Sequence, residues 1–345
     1  MPDTYPGVTF DAEGVCNHCL SFKKPDLFGE DLFLEKIHSR RGAQYDCVLG
    51  ISGGKDSSYV AYLAKKKYGL RPLAVTYDFP FMVDLARENI KAVCESLGIE
   101  LLVIKSRNNL EYNYVHDLFM SLAGTGTTWG QCMFCHYGIE AVLYETARSK
   151  DIPFILSGVT NNETWWNPGS RTSFLLRSLR KLPLKEKALF GLYQSKAYAH
   201  LVDQRRQFPI PGNNPLNVYK RAHVLPGGPE SIKVFDYIEW DQKVIEKTLQ
   251  EETGWQKPAK SLTWRYDCIL EPLLDFTYVK EFGISSAGLY LCGLVRAGDI
   301  SREDALRLME ESENQERLDA NMRKVLDFLE IPVRVQDKFF NPGVR

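Results

Sequence analysis

"YDCVLGISGGKDSSYVAYLAKKK", residues 45–67, sets an apolar run against Ser-Gly-Gly-Lys-Asp-Ser-Ser and then against a helical period. A Gly-rich turn at a helix start binds anions, because its backbone N–H groups are unsatisfied and the helix dipole places partial positive charge there. Lys55 adds a full charge. The spacing is neither Gly-x-x-x-x-Gly-Lys nor Gly-x-Gly-x-x-Gly, so the loop is not a Walker A loop or a dinucleotide fingerprint. It reads as a surface-facing phosphate loop of another kind.

Outward from this loop, short apolar runs alternate with amphipathic periods. "YDCVLGI" is a strand and "DSSYVAYLAKKKYG" a helix ending at Gly69; "PLAVTYD" is a strand, "VDLARENIKAVCESLG" a helix and "IELLVIK" a strand. "NYVHDLFMSLAG" and "HYGIEAVLYETARSKD" read as helices before the strand "IPFILSGV". Buried strands alternating with helices predict an α/β fold, a doubly wound parallel sheet covered on both faces. Ligands of such sheets sit beyond the carboxyl ends of the strands, where residues 52–58 fall.

Past Asn161 the character changes. "NNETWWNPGSR" is polar and aromatic, "LRSLRKLPLKEK" is basic, and "RRQFPIPGNNPLNVYKRAHVLPGGPE" is dense in proline and glycine, as a connector or long functional loop is. "DQKVIEKTLQEETGW" and "SREDALRLMEESENQERLDANMRKVLDFLE" are helical, the second opened by a Ser-x-x-Asp cap at Ser301. The expected organisation is an irregular arm over 1–41, a nucleotide domain over 42–170, and a mainly helical region over 171–345 for substrate or oligomer contacts.

The 43 Lys and Arg nearly balance 44 Asp and Glu among 345 residues, which removes the basic footprint of a general nucleic-acid binder. No run approaches the roughly 20 apolar residues that span a bilayer, and the start "MPDTYPGVTF" lacks a signal peptide's regions, so a cytoplasmic protein is expected. Eight cysteines there are not a disulfide framework. Four form two Cys-x-x-Cys pairs, Cys16 with Cys19 and Cys132 with Cys135; each needs further ligands to close a metal site. Cys47, Cys94 and Cys292 lie on apolar faces and read as core residues.

"SGGKDSS" after an apolar strand resembles the PP-loop of the N-type ATP pyrophosphatases, which split ATP into AMP and pyrophosphate. The resemblance implies an adenine nucleotide alpha hydrolase-like, HUP-type sheet. It implies that Ser52, Gly53, Gly54, Asp56, Ser57 and Ser58 bind pyrophosphate, that Lys55 and Asp56 serve the chemistry, and that Mg2+ accompanies ATP. It places adenine at the strand end Thr76, Tyr77 and Asp78, with Asp78 toward metal or ribose, and a further loop at Gly158, Asn161, Asn162 and Glu163.

"PDTYPGVTFDAEGVCNHC", "CMFCHYG" and "VFDYIEWDQKVIEKTLQEETGWQKP" with "SLTWRYDC" and "LVRAGDISREDAL" look like the N-acetyl sugar amidotransferases of surface polysaccharide assembly. That resemblance implies adenylation of an acetamido oxygen and its displacement by ammonia from glutaminase- and cyclase-like partner subunits. The acceptor is a sugar or nucleotide-sugar, and Trp264, Arg265 and Asp267 take part in binding it; a homodimer is open to the chain. In that group a further Cys-x-x-Cys pair precedes "PDTYPG". This chain starts after it, so Cys16 and Cys19 have lost their partners to truncation, find other ligands, or hold no metal.

The competing resemblance is to PP-loop tRNA thiolases, where the position of Cys132 and Cys135 holds an iron–sulfur cluster. Cys268 in "WRYDC" is the expected third ligand, for a cluster or for Zn2+. Nucleic acid is a partner only under this alternative.

Overall fold

The computed structural model describes residues 1–125, 130–160, 175–176, 179–209, 228–258 and 267–341. Five strands form one sheet: β1 Cys47–Gly50, β2 Pro72–Asp78, β3 Glu100–Lys105, β4 Phe154–Ser157 and β5 Glu230–Lys233. Their order is β3-β2-β1-β4-β5, and every pairing is parallel. The expected doubly wound sheet is therefore present. Strands β1, β2 and β4 are almost wholly buried, as continuous apolar runs covered on both faces must be. The order runs outward from β1 in both directions, so the topological switch lies between β1 and β4.

Helix α1 (Asn17–Leu20) lies in the N-terminal arm, and α2 (Glu30–His38) leads to β1. Helix α3 (Lys55–Tyr62) follows the loop; the helix expected to reach Gly69 widens into a π-helical stretch over Leu63–Lys67. Helix α4 (Asp84–Leu97) ends at Gly98 in the left-handed conformation, a common glycine C-cap. Helices α5 (Leu110–Leu122) and α6 (Met133–Ser149) precede β4.

One finding bears on the expected organisation, and a second fills a stretch in which the sequence reading placed no element. Strand β5 belongs to the same sheet but lies beyond residue 170, so a division there does not separate sheet from helices. The basic stretch near residue 180 leads into a long helix, α7 (Leu184–Gln207), which packs along α5 through Gln194 to Ser121 at 2.8 Å and His200 to Asp117 at 3.1 Å.

Helices α8 (Gln242–Glu252), α9 (Glu271–Phe282), α10 (Ser286–Ala297), α11 (Arg302–Ser312), α12 (Gln315–Phe328) and α13 (Val333–Phe340) complete the chain. The single helix expected over 301–330 is two, α11 and α12. Glu313 leaves the helix to accept hydrogen bonds from Ser285 N and Oγ at 2.7 and 2.9 Å, and the Asn314 side chain caps α12 by accepting from Arg317 N. Ser301 caps α11 as its sequence predicts. Among the described residues no helix is long and apolar enough to cross a membrane.

The arm packs on these helices. Thr4 Oγ1 donates to Phe282 O at 2.6 Å, and the Tyr5 and Phe282 rings lie 5.5 Å apart.

Candidate functional site

The loop between β1 and α3 stands at the switch point. Gly53 turns with φ +78°, and a Cβ there would lie 2.2 Å from Ala86 O, so only glycine fits against the start of α4. Gly54 is the N-cap of α3 and brings no side chain to satisfy the first turn. Those N–H groups and the helix dipole give the turn the geometry that favours an anion. Ser57 Oγ accepts from Ser52 N at 3.1 Å and lies 3.2 Å from Ser52 Oγ, which holds the turn closed. Ser58 Oγ is buried with no hydrogen-bond partner among the described residues.

Lys55 and Asp56 form an ion pair at 2.7 Å. Lys55 is only 4% exposed and its ammonium lies under other parts of the chain, whereas Ser52, Gly54, Asp56 and Ser57 keep part of the loop open to solvent. From the other side of the switch, Gly158 touches the same turn. A Cβ on Gly158 would lie 2.8–2.9 Å from Asp56 C and O and from Ser57 N, so its role here is close approach of β4's end to the loop.

Strand β1 pairs with β2 only as far as Gly50 opposite Val75, and Ile51 N still donates to Val75 O at 3.1 Å. Beyond that the Thr76–Asp78 edge has no strand partner on the β1 side, as an adenine-binding edge requires. The side chains point elsewhere. Tyr77 OH donates to Glu111, which also accepts from Ser106 Oγ, and burial followed by the Glu111 charge pushes the phenol well above its usual range. Asp78 is held by Arg87 Nε at 3.0 Å and Lys105 Nζ at 2.9 Å. Burial raises its pKa, but these two cations win and hold the carboxylate below the usual range. In this arrangement Asp78 is committed to an ion-pair network.

Cys132 is the N-cap of α6 and Cys135 is buried in its first turn. Helix α6 packs on β2 where Gly138 meets the Tyr77 ring, and the Cys135 charge is among the groups raising the Tyr77 phenol. Cys268 forms an antiparallel bridge with Met82, just after β2, flanked by Val83 N to Asp267 O at 3.2 Å and Ile269 N to Phe81 O at 2.8 Å. Cys135 and Cys268 therefore both lie near the carboxyl end of β2. Among the described residues, however, no group of three or more His, Cys, Asp or Glu side chains is arranged to hold a metal ion.

In the arm, the Cys16 and Cys19 Sγ atoms lie 3.5 Å apart. Burial pushes the Cys16 thiol up, yet hydrogen bonds from Cys19 bring it below its ordinary value; burial and Cys16 raise Cys19. Burial lifts Cys47 far out of the ionising range and Cys94 to about 12, so both are inert core thiols. Asn161, Asn162, Glu163, Trp264 and Arg265 lie outside the described residues. Asp267 contributes its backbone carbonyl to the bridge beside Met82.

Three residues at the loop carry no signal in the sequence. Trp255 Nε1 and Asn89 Nδ2 both donate to Gly53 O, at 2.9 and 3.3 Å, and Asn89 brackets Gln256 through its N–H and its C=O, each at 2.9 Å. The third, Trp240, donates to Asp56 Oδ1 at 2.7 Å. Asn89→Leu removes the hydrogen bonds of a buried side chain to Gln256 and Gly53, leaving Gly53 O to Trp255, and is expected to cost about 1–3 kcal/mol in urea unfolding. A cost below half a kilocalorie would show that the bracket is not formed in solution.

Residues 30–116 match the model of the NAD synthase family, and residues 260–341 match the model described as LPS biosynthesis protein WbpG-like, C-terminal domain. The chain is 27% identical over 156 residues to an uncharacterised protein of Methanocaldococcus jannaschii, a match covering 44% of this chain and 53% of that protein. It is 31% identical over 113 residues to tRNA-specific 2-thiouridylase MnmA 2 of Fusobacterium nucleatum, covering 32% of each. Each match thus spans only part of the relative's length. Among solved structures, the U34-tRNA thiolase NcsA from Methanococcus maripaludis with its 4Fe-4S cluster aligns with TM-score 0.35 and 16% identity over 81% of this chain and 79% of that one. A likeness this loose carries no argument about chemistry. The stretch that carries the loop, residues 30–116, is thus similar to the NAD synthase family.

Proposed function

We propose that the chain is an ATP-dependent amidotransferase acting on an N-acetyl sugar. The observation that carries this reading is the conjunction, in one chain, of a NAD synthase-like segment containing the phosphate loop with a segment matching a domain described from LPS biosynthesis. The acetamido oxygen attacks the α-phosphorus of ATP, and pyrophosphate leaves. Ammonia adds to the activated carbon, AMP departs with the former acetamido oxygen, and loss of protons leaves an acetamidino group.

The loop serves the first step. The α3 N-terminus and the turn's N–H groups hold the departing pyrophosphate, and Lys55 exchanges part of its contact with Asp56 for the charge that builds on the leaving oxygen. Magnesium arrives with ATP. Ammonia comes from glutaminase- and cyclase-like partner subunits, and the acceptor is a sugar or nucleotide-sugar.

Sulfur transfer to an adenylated tRNA base or small molecule is the second reading. It is favoured by the thiouridylase match and by the approach of Cys135 and Cys268 to one end of β2. One experiment separates them: the protein, ATP, magnesium, an N-acetylated nucleotide-sugar and either ammonium or sulfide. AMP, pyrophosphate and an acetamidino product with ammonium are expected. A thiolated product, or iron with acid-labile sulfide in anaerobic preparations, favours the second reading. ADP as product overturns both.

A further inference from the structure

Trp240 belongs to neither the loop nor the strand ends, yet it completes the ion pair at the centre of the site. Its indole N–H donates to Asp56 Oδ1 at 2.7 Å while Lys55 Nζ holds Asp56 Oδ2, also at 2.7 Å. Each carboxylate oxygen is thus assigned to a different partner. The same ring lies under the Lys55 ammonium, 5.3 Å from Nζ to its centroid. Lys55 is almost wholly buried, so these contacts stand in for the water it lacks.

The indole is itself fixed from two directions. Trp240 directly precedes Asp241, the N-cap of α8, whose carboxylate accepts from Lys243 N and Val244 N at 2.8 and 3.1 Å. On the helical side it packs against the cluster of Tyr290, Leu291 and Leu294 on α10. A rigid donor set by elements outside the loop therefore dictates the rotamer of a residue inside it.

We propose that Trp240 is a positioning residue for the nucleotide, acting through Asp56. It holds one oxygen so that the other, with Lys55, is presented to magnesium-bound polyphosphate. The inference rests on the phosphate-loop reading above. An indole N–H suits this role because it only donates: it cannot bind metal or be deprotonated in competition with phosphate. The ring meanwhile keeps a cation–π contact for Lys55 when the carboxylate turns toward the metal.

The test is a double-mutant cycle with Trp240→Phe, Asp56→Asn and the pair, titrated with α,β-methylene-ATP and magnesium by calorimetry. Phenylalanine keeps a ring against α10 and removes only the donor. Loss of a hydrogen bond to a charged group predicts about a tenfold weaker affinity for Trp240→Phe. In the Asp56→Asn background the same change should cost less than about twofold, because the partner it acts through is gone. Equal losses in both backgrounds, or unchanged or tighter binding in Trp240→Phe, overturn the proposal.

A ligand-free readout accompanies the titration. In a chain labelled with 15N-tryptophan, the indole resonance that disappears in Trp240→Phe should move in Asp56→Asn; a resonance that stays in place also overturns it. Failure of the unaltered chain to bind the nucleotide analogue is a different result, because it removes the phosphate-loop reading itself.

Discussion

Pyrophosphate release by Lys55→Ala or Asp56→Ala is expected to fall by a factor of at least about a hundred to a thousand, the loss that follows removal of one preorganised transition-state contact. The two substitutions act by different routes. In the proposed reaction, lysine supplies the positive charge that meets the leaving pyrophosphate. Aspartate holds that lysine, 2.7 Å away, in a place where water does not.

Because the pair is shielded, neither variant is silent in stability. Lys55→Ala leaves the Asp56 carboxylate, among the described residues, with the Trp240 N–H alone, and a cost of roughly 1–3 kcal/mol in unfolding free energy is expected alongside the kinetic loss. Pyrophosphate release at the unaltered rate in either variant would remove the assignment of the loop. Restoration of a large part of the rate in Lys55→Arg would indicate that charge alone suffices there, whereas continued loss would indicate that the shielded site accepts only the compact ammonium.

How much of this site is legible in the sequence depends on how local each contact is. The strand–loop–helix at 45–67 reads directly, because apolar continuity, glycine spacing and helical period all lie within one short window. The parallel sheet follows from strands alternating with helices. Strand β5 does not, because "ESIK" is four residues long, partly polar, and recruited to the sheet by β4 alone.

The residues that brace the loop are equally hidden. Trp240 and Trp255 stand 184 and 202 positions from their partners Asp56 and Gly53, and nothing beside them in the chain sets them apart from packing aromatics. The converse also occurs. Asp78 ends its strand where a ligand-binding acid is expected, but Arg87 one helical stretch later and Lys105 on the neighbouring strand claim its carboxylate. The break between α11 and α12 is hidden for the same reason, since Glu313 is drawn out of a good helical period by Ser285, 28 residues upstream.

Gly53→Ala and Gly54→Ala, one residue apart, are expected to differ sharply, and the contrast tests the loop's conformation without any substrate. At Gly53 the backbone is left-handed, and the added Cβ would lie 2.2, 2.8 and 2.9 Å from O, C and Cα of Ala86. All three are backbone atoms at the start of α4, so relief requires moving the helix or opening the turn. Either movement also breaks the bonds that Trp255 and Asn89 make to Gly53 O. Strain at a positive φ together with a clash against fixed backbone places the cost at about 3–5 kcal/mol. Gly54 has φ −70° and ψ 161°, open to any L-residue, and its Cβ would meet only the Ser52 hydroxyl at 3.3 Å. There alanine is expected to cost less than about 1 kcal/mol, the scale of an N-cap change from glycine. Urea unfolding of the two variants measures the difference directly. Equal stabilities would mean that the turn does not pass through the left-handed region at Gly53, and the N–H groups of the loop would then not converge on a common anion.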